Sequence, residues 1–228
     1  LFRKKGIFKT IHDMGPWDAA DALRKLQKFY LKTTCRFSAS ASERIITVSE
    51  FSKNRIADIL KYPKEKIRVI PSAVYDKVID LSEADFEEVK TTYRLPEKYI
   101  MSLSTLEPRK NLKILLEAYV SIMDQVDYDL VLVGRKGWKM DEVIEKYNAQ
   151  KRIHITGFVA DEHVAHIYKH AMCFVFPSQY EGFGLPPVEA LALGTPVIAS
   201  DAASIPEVLM EQAVYFKNND SSELKNIL

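Results

Sequence analysis

Cysteine and long apolar runs are scarce in this chain, and each shortage excludes a class of protein. The 228 residues include two cysteines, Cys35 and Cys173, which are too few and too far apart for a zinc motif or a disulfide framework. No apolar run approaches the roughly 18 residues of a membrane span, and no secretory leader is recognisable. We therefore expect a protein of the reducing cytoplasm without a membrane-spanning segment.

An excess of charge of one sign is also lacking. The 32 basic and 31 acidic residues leave a formal net charge of +1, which provides no broad electrostatic surface for nucleic acid. Recognition of an anion must then be local. With 47% hydrophobic and 28% charged residues, the composition is that of a globular protein large enough for one or two cores.

The order of apolar runs and helical patterns predicts an α/β protein with two parallel-sheet halves. In the first half a strand, a helix, a strand, a helix and a strand follow one another, which favours right-handed crossovers. Apolar residues recur at helical spacing in the first of these helices, among them Leu23, Leu26, Phe29 and Tyr30. The predicted elements are residues 7–11, 18–39, 44–48, 50–60 and 67–70.

A charged stretch, residues 77–96, is predicted to link the two halves. The first domain would then cover residues 1–76 and the second residues 97–228. The second half again alternates strands with helices. Its predicted strands are residues 99–104, 128–134, 153–156, 171–176, 197–200 and 214–216.

The most informative stretch follows a predicted strand, at residues 180–190, where two carboxylates flank a Gly-x-Gly turn and a diproline. Glu181 would lie at the end of that strand, and Glu189 in the first turn of a helix predicted at residues 187–193. Ligands of parallel α/β sheets bind at this edge, where glycine lets backbone amides approach. The stretch favours a phosphate or a hydroxyl-rich sugar; the alternative is a plain connection with solvated glutamates. Pro187 replaces the third glycine of the dinucleotide fingerprint, which argues against a nicotinamide cofactor.

A pair of cations, Arg109 and Lys110, follows predicted strand 99–104 and precedes a helix that Asn111 could cap. The pair would lie at the same kind of sheet edge as Glu181, where a diphosphate needs positive charge. Two such cations can take the place of a metal ion at a departing phosphate. The alternative is a solvated charged turn.

Two residues of the first half are further candidates. His12 follows the first predicted strand, and the alternative to a site role is a capping or packed ring. Ser49 occupies a comparable strand-to-helix turn, where it either caps the helix or contacts a ligand.

Two metal-like patterns are discounted. The Asp-Tyr-Asp run at residues 127–129 precedes its strand, at the wrong end of a parallel sheet, and is predicted to be a turn. His163, His166 and His170 recur at helical spacing and are predicted to form a solvated face rather than a metal site. No metal site is therefore predicted.

Several motifs together resemble one family. Glu181 and Glu189, with Gly-Phe-Gly-Leu-Pro between them, are similar to the E-x7-E motif of the group 1 (glycogen-synthase-like) family of retaining, nucleotide-sugar-dependent glycosyltransferases. Other stretches match in the family's order and spacing, and the resemblance covers roughly residues 99–216. These stretches are residues 104–111, 130–134, 155–159, 176–178 and 194–200.

The resemblance implies the GT-B fold, in which two Rossmann-like halves enclose the active site. This chain would hold the end of the N-terminal, acceptor-side domain and a nearly complete C-terminal nucleotide-sugar-binding domain. Because the first residue is Leu rather than Met, we expect a partial sequence, truncated at its end as well, which can lack activity in isolation.

The resemblance also implies roles for the candidate residues. Glu189 would hydrogen-bond the nucleotide ribose, and Glu181 would hold hydroxyls of the donor sugar near the reacting carbon. His12 would lie near the transferred sugar, and transfer would be metal-independent and retain configuration, with the departing phosphate accepting the proton of the acceptor. The remaining candidates are Arg109 and Lys110 for catalysis and, for substrate binding, Gly182, Phe183, Gly184, Leu185 and Ser49. One departure is residues 201–208, where Ala and Ser replace the glycine-rich turn that the family often has.

The functional hypothesis is transfer of mannose or glucose from a GDP- or UDP-sugar to a glycan or lipid-linked acceptor, in surface polysaccharide synthesis. Such a protein would work in the cytoplasm or at the inner face of the membrane, with peripheral contact at most. Three alternatives stay open: a sugar-nucleotide epimerase of the same fold, a non-catalytic binding module, and a glycosidase with two carboxylates. Analysis of products with and without acceptor separates all four.

Overall fold

The computed structural model describes residues 6–19, 25–82, 84–135, 137, 146–147 and 150–228. The chain divides into two compact units. The first unit consists of Leu1–Ala73, Tyr180–Gly184 and Ala202–Val208, and the second of Val74–Gln179, Leu185–Asp201 and Leu209–Leu228. The described residues of the predicted linker, 77–82 and 84–96, belong to the second unit.

The first unit contains a three-stranded parallel sheet in the order β1-β2-β3. Its strands are β1 (Phe8–Thr10), β2 (Arg44–Thr47) and β3 (Ile67–Val69), and its helices are α1 (Gly15–Asp18), α2 (Lys25–Ala41) and α3 (Glu50–Leu60). The predicted parallel arrangement is confirmed. Residues of α2, α3, β2 and β3 form one small core with two residues that follow β1; its members are Ile11, Met14, Ala39, Ile45, Ile56, Ala57 and Ile67.

Helix α3 has the bounds that the sequence predicts. Ser49 is extended, with φ −150° and ψ 158°, and its side chain accepts a hydrogen bond from the backbone amide of Ser52. The helix ends where Lys61 turns into the left-handed region, at φ 53°. The capping contact predicted for Ser49 is therefore confirmed.

The helix predicted at residues 18–39 is confirmed over residues 25–39, but its predicted start at Asp18 is wrong. Helix α1 ends at Asp18, α2 begins at Lys25 among the described residues, and Leu23 lies outside them. Leu26, Phe29 and Tyr30 of the predicted apolar stripe are 85%, 72% and 66% exposed. The helical spacing correctly predicts that these residues share one side of a helix, but it does not predict which side packs against the core. In α2 the side that packs there has smaller side chains, such as Ala39.

The second unit contains a six-stranded parallel sheet in the order β6-β5-β4-β7-β8-β9. Its strands are β4 (Tyr99–Leu103), β5 (Asp129–Val133), β6 (Ile153–Gly157), β7 (Phe174–Phe176), β8 (Val197–Ser200) and β9 (Ala213–Phe216). Its described helices are α4 (Phe86–Tyr93), α5 (Leu112–Val120), α6 (Asp161–His170), α7 (Leu185–Ala192) and α9 (Ser221–Ile227), while α8 (Ile205–Leu209) lies almost wholly in the first unit.

The central strands of this sheet are buried on both faces. The first four residues of β4 and the last four residues of β5 are buried. Strands covered by helices on both sides have this pattern in parallel sheets. Against them pack the buried residues of α5, including Leu112, Leu115, Leu116 and Tyr119.

Two predicted boundaries of the second unit are wrong. The strand expected at residues 171–176 begins only at Phe174, because Ala171 is the C-cap of α6 and its amide bonds to the carbonyl of Tyr168. The helix expected at residues 187–193 begins at Leu185, so both prolines occupy its first turn, where their missing amides are not needed. Among the described residues, no helix is long and apolar enough to cross a membrane.

We predict that Leu115→Ala lowers the free energy of unfolding of the second unit by about 2–5 kcal/mol, because Leu115 is fully buried in α5 and its loss leaves a cavity. Urea denaturation followed by circular dichroism measures the change. The matched variant Lys113→Ala, on the exposed side of the same helix, should cost less than about 0.5 kcal/mol. Equal effects of the two variants would contradict the assigned core.

Candidate functional site

The order of strands in the second unit reverses between β4 and β7. Strands β5 and β6 continue the sheet on one side of this pair, and β8 and β9 continue it on the other. In parallel α/β sheets, the loops that follow two such strands diverge and leave a crevice in which ligands bind. The loop after β4 contains Arg109 and Lys110, and the loop after β7 leads to Glu181.

The cationic loop contacts the end of β7. Arg109 donates a hydrogen bond from Nη2 to Oε1 of Glu107 at 2.9 Å, and its carbonyl accepts one from the amide of Gln179 at 3.0 Å. The Nζ of Lys110 lies 5.6 Å from the centre of the Phe176 ring. Both cationic side chains are half-buried, and they lie at the carboxyl edge of the sheet, as predicted.

Asn111 does not cap α5 with its side chain, contrary to the prediction. Its backbone is in the left-handed region, at φ 55°, whereas a capping side chain requires an extended backbone. The Nδ2 of Asn111 instead donates to Oδ1 of Asn219 at 3.0 Å, and Gln179 donates to the same oxygen at 2.7 Å. Asn219 thus joins the loops that follow β4 and β7.

A close backbone approach supports the cationic loop from β5. Gly134 has φ +137°, and a Cβ added there would lie 1.9 Å from the carbonyl oxygen of Ser104. Only glycine allows this approach. From the sequence, Gly134 is assigned only to the end of predicted strand 128–134 and to the family-like stretch 130–134.

Glu189 lies in α7, one turn later than expected. Since α7 begins at Leu185, Glu189 is in its second turn, and the expectation of a first-turn position is wrong. Its Oε2 accepts a hydrogen bond from the buried Tyr168 hydroxyl at 3.3 Å. Burial raises the pKa of Glu189, the nearby charge of Asp161 raises it further, and the hydrogen bond from Tyr168 lowers it in part. Tyr168 is a site residue that no sequence pattern indicated.

Glu181 belongs to the first unit, in the segment Tyr180–Gly184, and is buried. The backbone of this segment is held by three serines. Ser204 Oγ donates to the carbonyl of Glu181 at 2.9 Å, and the carbonyl of Gly182 accepts from Ser49 at 2.7 Å and from Ser52 at 3.4 Å. The direction in which Glu181 leaves the backbone is thereby fixed.

Gly182 lies directly on the turn that carries His12. A Cβ at Gly182 would lie 2.7 Å from the carbonyl oxygen of His12 and 2.8 Å from the Cβ of Asp13. The Tyr180 hydroxyl accepts a hydrogen bond from the amide of Met14 at 3.1 Å, two residues beyond His12. The first unit therefore brings the predicted residues His12 and Glu181 into neighbouring backbone segments, with the His12 side chain exposed.

Ser49 uses its hydroxyl in both directions. It accepts from the amide of Ser52 at 3.1 Å and donates to the carbonyl of Gly182, and its side chain is buried. Phe183 is half-buried and Gly184 is buried in the first unit, and Leu185 begins α7 in the second.

Residues 201–208 make contacts that the sequence did not indicate. Ala203 has φ 54°, so it adopts without glycine the left-handed conformation that glycine adopts readily. Ser204 follows it and holds Glu181, and Glu207 accepts hydrogen bonds from the amides of Glu50 and Phe51 at 2.7 and 2.8 Å.

The discounted Asp-Tyr-Asp run is at the amino end of β5, as predicted. Asp127 is exposed and pairs with Lys98. Asp129 accepts hydrogen bonds from Arg152 Nε at 2.8 Å and His154 Nε2 at 2.7 Å. These carboxylates are engaged in ion pairs on the edge of the sheet opposite the candidate site.

The three histidines of α6 do not share one solvated face, so that prediction is wrong. His166 is 6% exposed, His163 lies 3.0 Å from the hydroxyl of Tyr93, and only His170 is exposed, with its ring stacked on Phe86. The cause is that α4 packs against α6, whereas the prediction assumed that this side of α6 faces solvent. Within the described ranges, no group of three or more His, Cys, Asp or Glu side chains is arranged to hold a metal ion.

Two family profiles match the chain. Residues 84–228 match the family described as glycosyl transferases group 1, and residues 2–78 match the one described as glycosyltransferase family 4. The chain is 33% identical over 217 residues to O-antigen chain mannosyltransferase B of Escherichia coli, covering 92% of the chain and 57% of that protein. It is 30% identical over 234 residues to O-antigen chain mannosyltransferase RfbU of Salmonella typhimurium, covering 100% of the chain and 62% of that protein. The chain thus spans less than two thirds of these relatives.

Solved structures agree in fold. Alr3699/HepE of Anabaena, in complex with UDP and glucose, matches with a TM-score of 0.76 at 21% identity over 96% of this chain and 60% of that one. WaaG, a glycosyltransferase involved in lipopolysaccharide biosynthesis, matches with a TM-score of 0.73 at 15% identity over 96% and 64%. The predicted GT-B type of α/β fold is confirmed, and the profile match over residues 84–228 covers more than half of the sequence. The chain belongs to the group 1 glycosyl transferases.

Proposed function

We propose that the complete protein transfers a hexosyl group, mannose or glucose, from a GDP- or UDP-sugar to a glycan or lipid-linked acceptor with retention of configuration. The observation that carries the proposal is the cationic pair Arg109 and Lys110 at the carboxyl edge where the strand order reverses. The names of the relatives, O-antigen chain mannosyltransferases, support mannose and the assembly of a surface polysaccharide.

The donor side is assigned to the second unit. Arg109 and Lys110 bind the diphosphate, and their positive charge stabilises the negative charge that grows on the departing phosphate, so that no metal ion is required. The hydrogen bond from Arg109 to Glu107 and the ring of Phe176 below Lys110 support this role, because they hold both cations at the sheet edge. Glu189 accepts hydrogen bonds from the ribose hydroxyls.

The sugar-facing residues are assigned to the first unit. Glu181 binds hydroxyls of the donor sugar, and His12 faces the transferred sugar. The turn that carries His12 borders a cavity of about 340 Å³, whose other lining residues include Lys9, Asp13 and Thr34. Its polar groups suit the hydroxyls of an acceptor saccharide.

The proposed step conserves the configuration of the anomeric carbon. The bond from that carbon to the phosphate oxygen breaks, and its electron pair stays on the departing nucleoside diphosphate. The hydroxyl oxygen of the acceptor bonds to the same face of the carbon, and its proton passes to the departing phosphate. Glu181 and His12 orient the sugar, and the cations lower the cost of the charge that builds on the leaving group.

We predict that the complete protein, incubated with GDP-mannose or UDP-glucose and a saccharide acceptor, forms a glycoside with the donor's anomeric configuration in the presence of chelator. Nuclear magnetic resonance of the product gives the configuration. A rearranged sugar formed without acceptor would indicate an epimerase, and sugar released from a glycan without nucleotide would indicate a glycosidase. Arg109→Ala/Lys110→Ala should lower kcat/KM by at least about a hundredfold; Lys113→Ala, on the neighbouring exposed helix surface, is the control.

We predict that nucleotide affinity depends on pH through Glu189. Because burial raises the pKa of Glu189, its carboxylate takes up a proton at a pH where an ordinary glutamate is still charged. Affinity for the nucleotide should therefore fall as the pH is lowered through that raised pKa. Glu189→Gln, which does not titrate, should bind roughly tenfold more weakly at pH 7 and show no such fall.

Calorimetric titration of the complete protein with GDP and UDP, with chelator present, measures this dependence and identifies the base. The ratio of the affinities of wild type and variant cancels the titration of the nucleotide itself. Glu211→Gln, an exposed glutamate beyond α8, is the matched control and should keep the wild-type profile. A constant ratio across pH would contradict the role of Glu189.

We propose in addition that the protein makes peripheral contact with the inner face of the cytoplasmic membrane through α2. Leu26, Phe29, Tyr30 and Phe37 are each at least 66% exposed. The same helix carries four cations, Lys25, Lys28, Lys32 and Arg36, and neither Asp nor Glu. Apolar and basic side chains on one helix suit the interface of an anionic bilayer.

We predict that Phe29→Ser/Tyr30→Ser lowers binding of the complete protein to vesicles of phosphatidylglycerol at least about fivefold, measured by flotation, because it removes apolar side chains from the contact. Added salt should weaken the wild-type interaction, since part of it is between charges. Met210→Ser, a similarly exposed residue outside α2, is the control. Equal binding to neutral phosphatidylcholine vesicles would speak against the contact.

A further inference from the structure

The amino end of α3 is occupied by a carboxylate from a distant part of the chain. Glu207 accepts the amide of Glu50 through Oε1 at 2.7 Å and that of Phe51 through Oε2 at 2.8 Å. The amide of the next residue, Ser52, bonds to Ser49. Three successive amides at the positive end of the helix dipole are thus satisfied by side chains, two of them by one charged group.

The segment that carries Glu207 also holds the Glu181 backbone. Ser204, three residues before Glu207, donates to the carbonyl of Glu181 at 2.9 Å and lies 3.5 Å from that of Phe183. The amide of Val208 bonds to the carbonyl of Ser204, so that Ser204 and Glu207 belong to the same turn of α8. One helical turn therefore holds both the Glu181 segment and α3.

A second connection closes the ring of contacts. From the amino end of α3, Ser49 donates to the carbonyl of Gly182, the residue after Glu181. The ring of Phe51 packs edge-on against that of Tyr180, with 5.8 Å between their centres. Glu181 thus has its own carbonyl held from α8, and the neighbouring residues on both sides held from α3.

An ordinary helix cap does not account for this arrangement. Glu207 is exposed, and holding its long side chain in one geometry costs conformational entropy that a solvated glutamate does not lose. The turn before it also keeps Ala203 in the left-handed region, at φ 54°, an unfavourable conformation that the surrounding contacts must maintain.

We infer that Glu207 and Ser204 are positioning residues for Glu181: they fix the backbone of residues 181–183 against α3 and so set the direction of the Glu181 carboxylate. The inference rests on the proposed function, in which Glu181 binds the donor sugar. In this scheme both residues act through the protein backbone rather than on the substrate. Their loss therefore acts on the chemical step more than on nucleotide binding.

The test compares Glu207→Gln, Glu207→Asp and Ser204→Ala with wild type in the complete protein, with Glu211→Gln as the matched control. Glu207→Gln keeps the size of the side chain but places an amide donor against a backbone N–H. It should lower kcat for transfer by on the order of tenfold to a hundredfold, because small misplacement of a catalytic group has effects of that size. KM for the donor should stay within about threefold. Glu207→Asp, which keeps the charge, should restore part of kcat.

Hydrogen exchange of the free protein supplies a readout that does not depend on activity. Peptides covering residues 49–52 and 180–184 should exchange faster in Glu207→Gln and in Ser204→Ala, whereas peptides from β4 and β5 should not change. Ser204→Ala removes the hydrogen bond to the carbonyl of Glu181. It should likewise lower kcat and leave KM for the donor nearly unchanged. Glu211→Gln should match wild type in every measurement.

Unchanged exchange of residues 180–184, or an unchanged kcat despite faster exchange, would overturn the inference. A uniform rise of exchange over the whole first unit would also overturn it, since that is the result of a purely structural role. If the wild-type protein transfers no sugar, the proposed function is refuted instead. The wild-type assay shows this before any variant is compared.

Discussion

The parallel alignment of the strands is the constraint on which the rest of the second unit depends. Because all six strands run in the same direction, every loop that follows a strand lies on one edge of the sheet. The reversal of order between β4 and β7 then separates two of these loops. The hydrogen bond from Gln179 to the carbonyl of Arg109 ties them together at their base. The cations of one loop and the start of the other thus have fixed positions before any ligand arrives.

The charged groups of the candidate site are held by different means. The guanidinium of Arg109 is paired with Glu107 and oriented by it. Among the described residues, no cation forms an ion pair with the carboxylate of Glu189. This half-buried carboxylate accepts a hydrogen bond from the Tyr168 hydroxyl, and its burial disfavours the charged form. A cation that keeps its charge suits a phosphate, whereas a carboxylate with a raised pKa suits neutral hydroxyls. This contrast agrees with a nucleotide whose diphosphate and ribose contact different residues.

The sequence predicted what depends on neighbouring residues. Helix α3, with its Ser49 cap, and the alternation of strands and helices along the chain follow from local patterns, and these agree with the structure. Ser204 contacts Glu181, 23 positions away in the sequence, and Glu207 contacts Glu50 at the start of α3, 157 positions away. No periodicity or motif records such pairs. The exposed stripe of α2 and the buried His166 were missed for a related reason, since an amphipathic pattern does not specify which neighbour covers each face.

The first unit is assembled from three separate segments of the chain, and this affects the timing of its folding during synthesis. The last strand of its sheet ends at Val69 and its first segment at Ala73, but Glu207, which satisfies two amides of α3, follows 134 residues after Ala73, in the segment Ala202–Val208. At typical translation rates of about 5–20 residues per second, the delay is on the order of ten seconds. During that interval Ser49 already caps α3 through the amide of Ser52, but the amides of Glu50 and Phe51 lack Glu207, and for most of the interval the Glu181 segment has not been made. A chaperone that acts on the growing polypeptide would therefore meet a first unit whose sheet is formed and whose sugar-facing segment is still absent.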